Sequence, residues 1–578
     1  MINRRQLITR GLSAGAGLLV LHQLEGLNRT AFAATKFQRA ATNFEAAYNR
    51  LDEYVVRHLA EMGAPGLTLA LADRNGLLRS SQYGFADVKA GIKVAPQTLF
   101  EIGSISKSFV AMAILQLVEE GKLDLNKPVT SYLPWLKIES KFSPFTTHHL
   151  LSHTSGLTGV PLLMRVAATT LRVGSEPGTR WVYSNIGYDI LGFLLATVDK
   201  RPFAEAMQQR VLNPLGMSAS VPVISNEIRE RMAVGYGPLQ PDRPLPIRGK
   251  LGEAPWLEVP EAAGSIAATA GDMGNYLQLL LNRGAFGKGR VLTEKSFDLL
   301  TKPVIKSPFR GEDASYAYGL WVSDNGGHKL LRHTGGMVAF SSAMYADESD
   351  GLAAFASVNA ARLPGGYRPI PVIRYALALL SAAAKGQELP PAPPPPASPT
   401  AVKNAADYAG SYPSASGEGE KLVLSADGDQ LLLHRGDSRI PLEIAGPDVF
   451  LVKHPDFDLF ALAFEREKGV VAEAVHGSSW WTNEHYTGPK KFDYPKEWDA
   501  YTGHFHSDSP WYGSTRVVIR KGQLFVGGDQ PLAAVEPNIF RFAGDPSDAD
   551  RIMFDTFVDA KATRMNVSGI EFFRAYTP

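Results

Sequence analysis

Ten residues divide this chain. Pro390-Pro-Ala-Pro-Pro-Pro-Pro-Ala-Ser-Pro399 holds seven prolines, and proline has neither the N–H nor the φ freedom required inside a helix or a sheet. The segment is predicted to be a stiff polyproline II spacer. The residues before it and after it must therefore build separate cores. Length agrees: 578 residues are too many for one compact core, so two or three domains are expected.

Upstream of the spacer, Gly66-Leu-Thr-Leu-Ala-Leu-Ala and Leu77-Leu-Arg-Ser-Ser-Gln-Tyr read as paired strands joined by the turn Asp73-Arg-Asn-Gly76. Residues 318–358 supply further strands and 373–384 a helix. This places strands from both ends of the segment in one sheet, with helices between. Downstream, the chain turns β-rich and duplicated. Asp407-Tyr-Ala-Gly-Ser-Tyr412 matches Ala500-Tyr-Thr-Gly-His-Phe505, and each copy later reaches a β-branched–Phe pair, Val449-Phe450 and Ile539-Phe540. The alternating pattern and short strands predict two small antiparallel barrels.

Three strings carry chemistry. The first is Ser104-Ile-Ser-Lys107, at the start of a helical pattern in which Phe109, Ala113 and Leu117 share a face. Lys107 lies one turn from Ser104 on the same face. A serine hydroxyl needs a base, and burial makes lysine one by lowering its pKa. The helix N-terminus favours negative charge on the serine oxygen.

The second string is Tyr183-Ser-Asn185, which follows a Pro-Gly turn and opens a helical run from Ile186. The phenol can pass a proton between serine, lysine and leaving group, and an adjacent lysine cation would favour its phenolate. Asn185 can donate to a substrate carbonyl or hold Lys107. The third is His333-Thr334-Gly335-Gly336 at a strand end, where glycine lets a substrate backbone approach. The backbone N–H groups of Ser104 and Gly336 are the natural oxyanion donors.

Together these strings resemble the serine β-lactamase and penicillin-binding-protein superfamily, in particular its class C-like branch of DD-peptidases, D-aminopeptidases and family VIII esterases. Leu150-Leu-Ser-His-Thr-Ser-Gly-Leu157 and Ala263-Gly-Ser-Ile-Ala-Ala-Thr-Ala-Gly-Asp-Met273 match as well. The resemblance covers about residues 60–384. It implies an α/β fold, with an antiparallel sheet flanked by helices plus an all-α subdomain and Ser104 in the cleft between them. It implies Ser104 as nucleophile, Lys107 and Tyr183 as acid/base partners, and Asn185, His333, Thr334, Gly335 and Gly336 around the substrate. Many relatives carry lysine where this chain has His333. That departure points away from β-lactams and C-terminal carboxylates and towards the His-x-Gly version of D-aminopeptidases and some esterases.

A hydrolase domain followed by two barrels resembles the layout of bacterial D-aminopeptidases. In those enzymes a loop of the last domain enters the active site and selects a free amino terminus; Asp508 and Asp529 are the acidic candidates here. The expected organisation is a signal peptide over 1–34, a β-lactamase-like serine hydrolase domain over 35–387, a linker over 388–402, and barrels over 403–495 and 496–578. The expected activity is hydrolysis, through acyl-Ser104, of amides or peptides containing a D-amino acid. The alternatives are a family VIII carboxylesterase, a DD-peptidase or β-lactamase, and a non-catalytic binding protein.

Bulk properties exclude other classes. Lys plus Arg number 59 and Asp plus Glu 58, so no net field draws the chain to nucleic acid or a membrane surface. No cysteine is present, which removes disulfides, thiolate nucleophiles and cysteine metal sites. Histidines are few and dispersed, so no metal or other cofactor is expected. The string Asn3-Arg-Arg-Gln-Leu-Ile8, an apolar stretch over 11–21 and Ala31-Phe-Ala33 predict twin-arginine export and cleavage. The apolar run is short for a membrane span. A periplasmic enzyme with no anchor after cleavage and a small-molecule or peptide substrate is expected. Oligomeric state has no signal in the sequence.

Overall fold

The computed structural model describes residues 44–159, 170–238, 251–309, 312–361 and 367–575; the predicted signal peptide lies outside them. Strand β1 (Gly66–Asp73) is apolar on both faces, and this dictates where it sits. Its Leu67, Leu69 and Leu71 enter one core, while Ala70 and Ala72 enter another. The strand is therefore central in an all-antiparallel, nine-stranded sheet. It pairs with β2 (Gly76–Asp87) through the turn at Asp73 and with β6 (Leu352–Val358) from the far end of the domain. Beyond β6 come β5 (Ser341–Asp347), β4 (His328–Gly336) and β3 (Trp321–Asn325).

One face of this sheet packs on α1 (residues 44–62) and on α5 (Ile370–Ala384). The other packs on α2 (Ser106–Glu119), α3 (Asn185–Asp199) and α4 (Ala270–Leu281). Helix α2 is buried nearly all round, as its almost unbroken apolar sequence requires. The expected α/β architecture is thus present, with the start of α2 at the join between sheet and helices.

The proline segment is more than a spacer. Proline has no N–H but keeps its carbonyl, and two arginines of α1 use those carbonyls. Arg50 Nη1 donates to Leu389 O (2.8 Å), and Arg57 Nη2 donates to Pro393 O (3.0 Å). The Tyr375 hydroxyl of α5 donates to Pro390 O (3.2 Å). The segment is a strap laid along the α1–α5 layer, a contact that composition alone does not reveal.

Two eight-stranded antiparallel sheets follow. The first runs from Gly410–Tyr412 to Ser479–Thr482, and its ends meet through Thr482 N–H to Pro413 O (3.1 Å) and Ala415 N–H to Trp480 O (3.0 Å). The second, from Gly503–His506 to Ile570–Ala575, closes into a barrel. The repeated sequence signals become the same aromatic pair in each core. Tyr408 meets Phe450 edge-on at 5.0 Å, and Tyr501 meets Phe540 edge-on at 5.5 Å.

The last barrel docks on the hydrolase domain. Arg180 pairs with Asp545, and the Thr158 hydroxyl donates to the buried Asp550 carboxylate, which also accepts from Ser568 Oγ at 2.6 Å.

Candidate active site

A single 3₁₀ turn, Gly103–Ile105, carries Ser104 into the first turn of α2. Lys107 lies below it, fully buried, and its Nζ is held by three oxygens. It donates to Ser104 Oγ (3.0 Å), Asn185 Oδ1 (2.8 Å) and Ala263 O (2.7 Å). Burial lowers the Lys107 pKa far below the ordinary lysine range, and the nearby Asp189 carboxylate pulls it partly back. Such a lysine can be neutral at the pH where a base is needed.

Asn185 opens α3. The N-cap is Ser184, whose Oγ accepts from Gly187 N–H (3.2 Å). Asn185 is thereby free to face the site. Of its two predicted roles, holding Lys107 is observed, and its amide borders the cavity beside Ser104.

Tyr183 hydrogen-bonds to Ser104, and its ring lies 4.9 Å from the Lys107 Nζ atom. Burial raises the Tyr183 pKa, and the Ser104 hydrogen bond and Arg368 only partly offset this. The predicted phenolate is therefore disfavoured, and Lys107 is the better base. Behind Tyr183 stands His153, from the Leu-Leu-Ser-His-Thr-Ser-Gly string, with ring centroids 4.3 Å apart. Its Nδ1 accepts from Ser184 N–H (3.1 Å), and its carbonyl accepts from Val182 N–H (2.9 Å). His153 thus grips the backbone on both sides of Tyr183.

His333 requires a correction. It was expected beside the substrate, yet its ring is 1% exposed and packs 4.8 Å from Trp321 in the aromatic layer beneath Tyr183. Its Nδ1 lies 2.7 Å from the Thr334 carbonyl, which can only accept, so Nδ1 carries the proton and Nε2 accepts from the Tyr316 hydroxyl at 3.3 Å. Burial, reinforced by Lys107, lowers the His333 pKa to about 3. The ring is a neutral support. The physical reason is strand alternation: His333 and Gly335 face inward, and a wall of Tyr316, Trp321 and Tyr183 covers that face.

Gly335 is where β4 touches the turn that carries Ser104. A Cβ there would stand 1.9 Å from Ile102 O and 2.3 Å from Ser342 Oγ. The half-buried Thr334 contributes the carbonyl that fixes His333. Gly336 borders the cavity with Ser104, which agrees with a role for its amide towards an oxyanion. The Arg368 guanidinium packs against Gly336 and donates to Ser341 Oγ (3.1 Å), so a cation does stand at this end of the strand, though it is not His333.

The cavity at Ser104 measures about 30 Å³. Among the residues that border it and that sequence reasoning did not assign to the site are Asp189, Glu261 and Trp511. Asp189 follows Asn185 by four residues on α3, a same-face spacing that could have exposed it. Trp511 belongs to the loop 507–513 of the last barrel, closed by Ser507 N–H to Gly513 O (2.8 Å). Of the two acidic candidates for an entering loop, Asp508 is exposed on this same loop and Asp529 lines a groove between the barrels, so neither borders the cavity. Past Met337 and Trp511 lies a pocket of about 180 Å³, walled by Met232, Trp256, Leu257 and Phe340. Glu101 is buried at its edge, and burial pushes the carboxyl up to about 8, leaving it largely uncharged at pH 7.

An antiparallel sheet between helical layers, with this site at the head of a buried helix, defines a hydrolase of the β-lactamase class. The chain belongs to the Beta-lactamase family, whose model matches residues 51–377. It is similar to Protein flp of Staphylococcus aureus (strain N315), 26% identical over 334 residues, or 54% of this chain and 64% of that protein. It is also similar to the putative penicillin-binding protein PbpX of Bacillus subtilis (strain 168), 28% identical over 284 residues, or 47% of this chain and 66% of that protein. The chain thus spans just under two thirds of the length of these relatives. The octameric penicillin-binding protein homologue of Pyrococcus abyssi has a similar fold, with a TM-score of 0.53 and 24% identity, covering 75% of this chain and all of that one.

Proposed function

We propose that this protein is an exported serine hydrolase that acts through an acyl-enzyme on Ser104, with amides or peptides containing a D-amino acid as its substrate class. The observation that carries the mechanism is the Lys107 Nζ atom, buried, low in proton affinity and 3.0 Å from Ser104 Oγ. Lys107 takes the Ser104 proton as Oγ attacks the carbonyl carbon. The amides of Ser104 and Gly336 receive the oxyanion. Tyr183, a neutral phenol bonded to Ser104, passes the proton to the leaving nitrogen. Water, activated by the same pair, then releases the acyl group. The substrate class is supported by the two barrels, by the loop 507–513 at the cavity and by the small cavity with its acidic wall. Export is supported by the twin-arginine string.

The test is turnover of D-alanine p-nitroanilide, with the L-isomer and Ser104→Ala as controls. Serine-dependent release from the D-isomer alone agrees with the reading. Release retained in Ser104→Ala would sink the mechanism, and release from neither isomer would remove the substrate class.

Arg368 favours a second reading, a DD-peptidase whose substrate carries a carboxylate, since a guanidinium beside Gly336 suits that group. Arg368→Ala would then raise KM for a carboxylate-bearing D-peptide more than for its amide.

A further inference from the structure

The cavity at Ser104 has an unusual wall. Two carboxyl groups border it, Asp189 and Glu261, and each has one buried oxygen with no partner among the described residues. Asp189 is 5% exposed; its Oδ1 accepts from Ala263 N–H (3.1 Å), while its Oδ2 is buried with no hydrogen-bond partner. Glu261 is half-buried, and its Oε2 is likewise buried and unpartnered. The two lie close enough that the Glu261 charge adds to the rise of the Asp189 pKa. Lys107 favours the Asp189 carboxylate only through space, because its Nζ donates to Ser104, Asn185 and Ala263 and not to either carboxyl group. Buried carboxylate oxygens without donors are costly, burial accordingly raises the pKa of both groups, and a bound cation would favour their ionised forms.

We propose that Asp189 and Glu261 form a subsite for a primary ammonium group carried by the acyl part of the substrate, next to the carbonyl that Ser104 attacks. This rests on the reading of Ser104 as nucleophile. The space is small, about 30 Å³, and a compact –NH₃⁺ suits it better than a bulkier cation. An ammonium has three N–H donors, and the two orphaned oxygens offer acceptors at the cavity wall. Trp511 adds an aromatic border that also favours a cation. The subsite selects an acyl group with a free amino end and rejects one that is acylated.

The test compares two boronic acids that differ only in this group, 1-aminoethylboronic acid and isopropylboronic acid, binding to the full chain at pH 7 by calorimetry. With either compound, Ser104 Oγ adds to the empty boron orbital, a B–O bond forms, and the serine proton passes to Lys107; nothing leaves. The amino compound is expected to bind at least tenfold more tightly. In Asp189→Asn, in Glu261→Gln and most of all in the double variant, that ratio falls towards one. Asn keeps the oxygen that accepts from Ala263, so folding is preserved, and Glu261→Gln stands as an independent variant at a half-buried position. Effects of either change on Lys107 cancel in the ratio. A ratio near one in the unaltered protein, or an unchanged ratio in the double variant, would overturn the subsite alone. Failure of both compounds to bind would overturn the acyl-enzyme reading and the subsite with it.

Discussion

Lys107 and Asp189 are joined through the backbone of one residue: Nζ donates to the Ala263 carbonyl at 2.7 Å, and the Ala263 N–H donates to Asp189 Oδ1 at 3.1 Å. Burial lowers the Lys107 pKa and the Asp189 anion raises it. The base form is neutral lysine, so turnover rises with pH as Lys107 loses its proton. Asp189→Asn removes the anion, so the acidic limb of kcat/KM is expected to move to lower pH, by about one unit. A pH profile on an uncharged ester such as p-nitrophenyl acetate reads this without involving the ammonium subsite. An unmoved limb would remove Asp189 from control of the base.

Gly335→Ala drives a methyl into Ile102 O and Ser342 Oγ, at 1.9 and 2.3 Å. Backbone must move, and the backbone concerned leads directly into Ser104. A loss of about 1–3 kcal/mol in stability, with a fall in kcat of more than about tenfold as Ser104 is displaced by an ångström or so, is expected. Thermal melts and steady-state kinetics check it. At Gly336 the obstacle is the Arg368 guanidinium, a movable side-chain end, so Gly336→Ala is expected to cost less stability.

Trp511 closes one side of the cavity from another domain. Trp511→Ala is expected to open the wall and shift selectivity towards larger acyl groups. The ratio of kcat/KM for a phenylalanyl against an alanyl p-nitroanilide should change by about tenfold, roughly the loss of one well-packed aromatic contact. An unaltered ratio would mean that the loop 507–513 does not select substrate.

Two of the polar contacts between the barrel and the hydrolase domain are of unequal worth. Arg180 and Asp545 form an ion pair whose side chains are 42% and 37% exposed, and Arg180→Ala is expected to cost at most about 1 kcal/mol. Asp550 is 3% exposed and accepts from Thr158 and Ser568. Asp550→Ala takes a buried acceptor from two hydroxyls, with an expected cost of about 2–3 kcal/mol. Urea melts followed through tryptophan fluorescence, which includes Trp511, distinguish the two. Equal effects would contradict this ranking.

Local features were legible where physics is local. Lys107 lies one helical turn from Ser104, so their meeting follows from spacing within α2. Tyr183 and Asn185 flank a turn into α3, and the Pro-Gly before them announces it. The barrels announced themselves because each repeats a tyrosine and a β-branched–Phe pair, and those residues make the same edge-on contact in each core. His333 was misjudged because its string names a strand end but not which face of the strand is covered. The proline strap was half legible: its stiffness is a property of proline, but the arginines that hold it lie on α1, more than three hundred residues earlier.

By itself, then, the sequence determined the meeting of Ser104 with Lys107, the pairing of β1 with β2 and the β-rich, duplicated character of the chain after Pro399. These depend on backbone propensity and residue spacing, which act over a few residues. Tertiary structure decided the rest: that His333 is a buried neutral prop, that Arg368 stands where a cation was sought, and that Asp189, Glu261 and Trp511 border the cavity at Ser104. Desolvation and contact across the fold set those roles, since the proton affinity of Lys107 or His333 depends on what surrounds it once water has been excluded.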